Sequence, residues 1–188
     1  MCHYPPSAPP ATLPVMKKPY LVLAAAFCFL VPAIGLSAAA LDNLLALMVD
    51  LPGWEADKAD GADMTSQGIH AVTASRSYRS GERTFEASIL IGMQAVSSWM
   101  PTYKEGYKVE TPDGSMDVRK VGGFLVWEAF EKEAGSGGIL VLLQEAPKDT
   151  DTGAVFAVSF TGLNREEAMK MAQRFSWPRM KEQANRMK

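Results

Sequence analysis

Few residues in this chain are equipped for bond-making chemistry, and their spacing narrows the choice. There are two histidines, His3 and His70, and two cysteines, Cys2 and Cys28. A general base is most often histidine. His70 lies in an alternating run, Gly68 to Tyr78, that puts it on one face with Val72, Ala74, Arg76 and Tyr78. No G-x-S-x-G elbow is present to supply a nucleophilic serine, and with His3 in an N-terminal segment expected to be removed, one imidazole falls short of the two-histidine zinc motifs. His70 therefore reads as a structural histidine, and no catalytic residue is assigned.

The other chemistry-bearing sets also have plainer readings. "KDTDTG" carries Asp149 and Asp151 at the spacing of a calcium loop, but calcium needs six or more oxygens and neither a third acid nor a distal glutamate follows. It reads as a solvated hairpin loop. The glycine-rich "AGSGGI", Ala134 to Ile139, opens an apolar run instead of a helix and lacks the lysine of a phosphate loop, so it reads as a hairpin connection. Thioethers bind Cu(I), yet Met169, Met171, Met180 and Met187 do not converge, and core filling is the ordinary use of methionine. Glu128, Glu131, Glu133 and Glu145 read as a solvated strand face. No cofactor and no metal are expected.

The pattern that stands out is aromatic. Trp99, Met100, Tyr103 and Tyr107 gather around a helix end and the loop after it, and aromatics beside a sheet line ligand grooves or partner patches. These four form the candidate ligand- or partner-binding set. The competing reading is that they cap one end of the core.

The elements that position them follow from periodicity. Leu41, Leu44, Leu45 and Met48 give a short amphipathic helix that ends at "LPGW", where Trp54 folds back as a core anchor. Two alternating runs joined at Ser80-Gly81 make a hairpin, with Phe85, Ala87, Ile89 and Ile91 on one face. "MQAVSSWM" fits two helical turns closed by Pro101, and "ETPDGSMD" is a turn. Strands are predicted over Phe124 to Lys132, Ile139 to Gln144 and Val155 to Thr161. Because "ILVLL" does not alternate, its strand is covered on both faces. Asn164 and Glu167 form a capping box for a helix from Arg165 to Ser176, whose stripe is Ala168, Met171, Ala172 and Phe175. Trp177-Pro178 ends that helix and a frayed charged tail follows. The predicted fold class is α+β: a mostly antiparallel sheet with packed N- and C-terminal helices.

The first forty residues read as an address. Lys17 and Lys18 precede an apolar run from Leu21 to Leu36, and Ala38-Ala39-Ala40 precedes Leu41. That order matches a secretory signal peptide cleaved after Ala40. The alternative is an uncleaved anchor. Phe27 before Cys28 departs from the small residue a lipid-attachment signal needs. Residues 1–15 hold five prolines and no apolar periodicity, a disordered leader that suggests translation from Met16. The organisation is thus 1–15 leader, 16–40 signal peptide, 41–177 single domain and 178–188 tail. Removal of residues 1–40 takes both cysteines and His3, and with Lys17 and Lys18 gone the net charge moves from −2 to −4. The exported body has no thiol chemistry and no electrostatic footprint for nucleic acid.

"LPGW", "SRSYRSGERTFEASI", "GILVLL" and "NREEAMKMAQRFSW" together resemble small exported bacterial proteins of uncharacterised function. The element order is similar to the Mog1/PsbP-like α/β sandwiches, and that resemblance implies a mostly non-enzymatic interaction or assembly module. The sequence reading is an exported, non-catalytic binding or interaction domain, periplasmic or secreted. Its partner would be a protein or small molecule of the envelope, with no nucleic acid, and with membrane contact only through an uncleaved signal segment. The alternative is a carboxylate-based envelope hydrolase. A third possibility is a structural envelope protein that self-associates through a sheet edge.

Overall fold

From Ile69 to Gly92 apolar and polar residues alternate through two runs, and extended backbone throws alternate side chains to opposite faces. In the computed structural model, which describes residues 35–66, 69–92, 104–145 and 153–187, these runs are β3 (Ile69–Ser80) and β4 (Arg83–Gly92). Gly81, at φ +62°, and Glu82 form the turn, one residue later than the sequence predicted. Tyr78 pairs with Phe85, Ala74 with Ile89 and Val72 with Ile91. All six are buried on one face.

The remaining strands are β1 (Glu55–Ala56), β2 (Asp60–Ser66), β5 (Lys108–Glu110), β6 (Gly114–Val121), β7 (Phe124–Glu131), β8 (Ser136–Gln144) and β9 (Ala154–Thr161). They form one antiparallel sheet in the order β1-β3-β4-β9-β8-β7-β6-β5, with β2 also paired to β3. β8 lies between β7 and β9; on its outer face Leu142 is buried but Leu140 is only partly so, and the cover that its unbroken apolar run predicted on both faces is partial.

Three described helices pack on the face we call inner: α1 (Gly35–Leu45), α2 (Arg165–Ala172) and α3 (Trp177–Arg186). α1 lies over β2 and β3, and its end and the following turn bury Leu44, Leu47, Met48 and Leu51. The cleavage point read from the sequence, after Ala40, falls inside this helix. Both halves of the predicted capping box of α2 are present. Phe175, just after α2, is the centre of the aromatic core, with ring centroids 5.1 Å from Phe156, 6.1 Å from Tyr78 and 6.2 Å from Phe85.

Two corrections follow. The described residues are mainly β instead of packed α+β, with 51% strand and 20% helix. The reading fell short because Asp60–Ser66 and Gly114–Val121 are rich in charged and small residues, which local propensity assigns to loops; pairing with β3 and β7 makes them strands. The tail from Arg179 is not frayed. Pro178 sits in the first turn of α3, where its missing N–H costs nothing, and Trp177, Met180 and Ala184 are buried against the sheet. The helix predicted over "MQAVSSWM" and the loop "KDTDTG" up to Thr152 lie outside the described residues.

Candidate functional site

Register places the side chains of the opposite, outer face in rows. One row is polar and runs from Arg79 through Thr84, Thr161 and Ser136 to Glu131. The next is Glu86, Ser159, Gly138, Ala129 and Met116. Beyond it come Ser88, Ala157, Leu140, Trp127 and Val118, and then Leu90, Val155 and Leu142. The face therefore grades from polar, through small, to large and apolar. Val118, Trp127, Leu142 and Val155 form a second buried cluster, separate from the core under the helices.

Small side chains between larger ones leave a hollow. A trough of about 490 Å³ crosses β4, β9, β8, β7 and β6, and Leu90, Leu140, Trp127, Ala157 and Met116 contribute apolar walls among its described residues. Five strands span about 19 Å at the usual sheet spacing. Its volume lies within the range of small-molecule sites, roughly 300–1,000 Å³. Two adjacent glycines contribute in opposite ways. A Cβ on Gly137 would lie 2.6 Å from the Phe160 ring, so Gly137 lets that ring cover the inner face. Gly138 faces the trough, and a Cβ there would meet only the Val158 carbonyl, at 3.4 Å. The floor at Gly138 is open because the side chain is missing, and the backbone does not demand glycine there.

The inner face carries the second candidate. Glu128 is 2% exposed, opposite Asp117 in the register, and both face α2. Arg119 Nη2 donates to Glu128 Oε2 at 2.9 Å, while Arg165 donates from Nε to Oε1 at 3.2 Å and from Nη2 to Oε2 at 3.3 Å. Arg119 Nε pairs with Asp117 at 3.1 Å, and Arg165 Nη1 reaches Ser115 Oγ at 3.4 Å. The carboxylate bonds to Glu128 push Arg165 above the usual guanidinium range, against the opposing effect of its own burial. A groove of about 430 Å³ lies beside the cluster, bordered by Glu166, Met169, Lys170 and Gln173 of α2 and its C-cap. Two facing carboxylates are what a glycosidase needs. Here both carboxylates are ion-paired to Arg119 and Arg165, so their oxygens are turned to the two guanidinium groups.

Glu128 corrects the sequence reading of a solvated glutamate face. It shares strand parity with Val126 and Phe130, the apolar inner set of β7, and Asp117 and Arg119 share parity on β6. Parity was the signal available in the sequence; the charge of Glu128 masked it.

His70 is exposed on β3, and its Nε2 lies 2.9 Å from Asp63 Oδ1, a surface pair joining β2 to β3. Of the aromatic set, Tyr107 packs against the outer-face cluster, and its backbone carbonyl accepts from the Val118 N–H at 2.9 Å. Trp99, Met100 and Tyr103 lie outside the described residues. Met171 is partly buried in the core, Met169 and Met180 are buried, and no group of three His, Cys, Asp or Glu side chains placed to hold a metal occurs among the described residues. The trough was missed because its floor is defined by absent side chains, at Gly138, Ala129 and Ser159, on strands far apart in sequence.

No protein-family model, no curated protein and no solved structure matches this chain.

Proposed function

We propose that this chain is a non-catalytic binding domain, exported to the periplasm or secreted, that takes a small apolar ligand in the trough on the outer face of its sheet. The observation that carries this reading is the gradation of that face. A polar row, a row of small residues and an apolar wall make a concave surface about 490 Å³ in volume without breaking the sheet. Leu140 and Leu90, only partly buried, supply apolar surface whose burial would favour association. The signal-peptide pattern from Lys17 to Ala40 supports export.

Filling the floor tests the reading. Gly138→Leu and Ala129→Leu each project a side chain into the trough from strands whose inner faces stay intact. Both variants should lower affinity for an apolar fluorescent probe by about tenfold or more, with an unchanged thermal midpoint. Unaltered probe binding in two folded variants would remove the trough from consideration.

A further inference from the structure

From the charges bordering the trough we infer that its ligand is an amphiphile with a single alkyl chain and a cationic head, seated with the head at Glu86; this rests on the binding reading above. Four charged side chains on the outer face lie on described strands near the trough. Arg79 pairs with Asp57 at 3.4 Å, Lys120 pairs with Glu105 at 3.0 Å, and Glu131 accepts from Ser136 Oγ at 3.4 Å. Glu86 is exposed, lines the trough and has no ion partner among the described residues. Its neighbours in the register are Ser77 and Ser159, and Ser88 follows on its own strand. This end of the trough therefore offers a carboxylate and hydroxyls. The walls farther along, Leu140, Trp127 and Leu90, are apolar.

An apolar trough next to an anion with no ion partner among the described residues selects by charge. An alkyl carboxylate or sulfate would bring like charge to Glu86, whereas an ammonium head gains Coulomb attraction at the edge of a low-dielectric surface. A head of hydroxyls alone could donate to Glu86 or the serines but brings no charge to offset the carboxylate. The alkyl chain then runs over Ala157 toward Leu140.

Matched ten-carbon probes separate the head from the chain. Decyltrimethylammonium, decanol and decanoate are titrated calorimetrically, below micelle formation, into the full chain, Glu86→Gln, Gly138→Leu and Ala129→Leu. The ammonium probe should bind about tenfold more tightly than decanoate, and Glu86→Gln should bring the two to within about threefold while leaving decanol unchanged. Added salt should narrow the preference. Equal binding of all three probes, insensitive to Glu86→Gln but abolished by both filling variants, would overturn the cationic head and keep the trough. Binding that survives in both filling variants, or is absent for every probe, would overturn the trough and the inference with it.

Discussion

Arg165, the first residue of α2, closes on the buried carboxylate of Glu128 through two nitrogens, 3.2 and 3.3 Å from its two oxygens. The contact joins residues 37 apart in sequence and fixes where α2 meets β7. Arg119 holds the same carboxylate from the neighbouring strand. Removing the acid would leave two guanidinium groups facing each other beside Asp117.

Glu128→Ala should therefore destabilise the fold by about 3 kcal/mol, the low end for breaking a buried pair, since both arginines keep partial access to water. Arg119→Ala should cost about 1 kcal/mol or less because that side chain is nearly half exposed. Urea unfolding of the two variants checks the order. An equal effect would place the weight of the cluster on Arg119 instead of on the buried acid.

Arg76 ties the N-terminal segment to the sheet. Its Nη1 donates to the Met48 carbonyl and its Nε to the Asp57 carbonyl, both at 2.7 Å, and its Nη2 meets Asp50 at 2.6 Å. Arg76→Ala strips partners from two backbone carbonyls at once. The expected loss is about 2–4 kcal/mol, with hydrogen exchange rising first in residues 46–57. Arg76→Lys, which cannot reproduce the fork, should recover little of it.

Tyr78 gives a pH dependence of known sign. Its hydroxyl donates to the Val49 carbonyl at 2.7 Å, and burial pushes it up from its ordinary 10.0 to about 12. The folded state then keeps a proton that the unfolded chain releases, so the stabilising effect is complete below pH 10 and fades as pH rises toward 12. About 2–3 kcal/mol should be lost across that window. Tyr78→Phe should be less stable at neutral pH by about 1 kcal/mol and should show a smaller fall between pH 9 and 11 in urea titrations.

The capping box of α2 is an independent check on local energetics. Asn164 Oδ1 accepts from the Glu167 N–H at 2.9 Å, and Glu167 accepts in return from the Asn164 N–H at 3.2 Å. Asn164→Ala should cost about 1 kcal/mol, and Asn164→Asp close to nothing. Thermal unfolding followed by circular dichroism distinguishes them.

What the sequence made legible is what local order decides. Phe85, Ala87, Ile89 and Ile91 announce a half-buried strand because period-two apolarity has one structural meaning, and all four are buried on the inner face. Asn164 and Glu167 announce a helix start in the same way. Met64 and Asp63 in β2, and Met116 and Asp117 in β6, gave no such signal, because those strands exist through pairing with β3 and β7. Glu128 was misplaced because charge outweighed parity; a carboxylate belongs inside only when a guanidinium reaches it, and Arg165 comes from a distant helix. The trough belongs to the same class of feature, since Gly138 and Ser159 become neighbours only when β8 lies beside β9.

The position of β9 bears on the order in which the chain is made. β9 follows β8 directly, yet its other edge joins β4, about sixty residues earlier, and that pairing is a slow, non-local step. Until the last fifth of the polypeptide emerges, Phe85, Ile89 and Ile91 stand on an unzipped edge. A ribosome stalled before Ala154 would thus hold a chain unable to close its sheet.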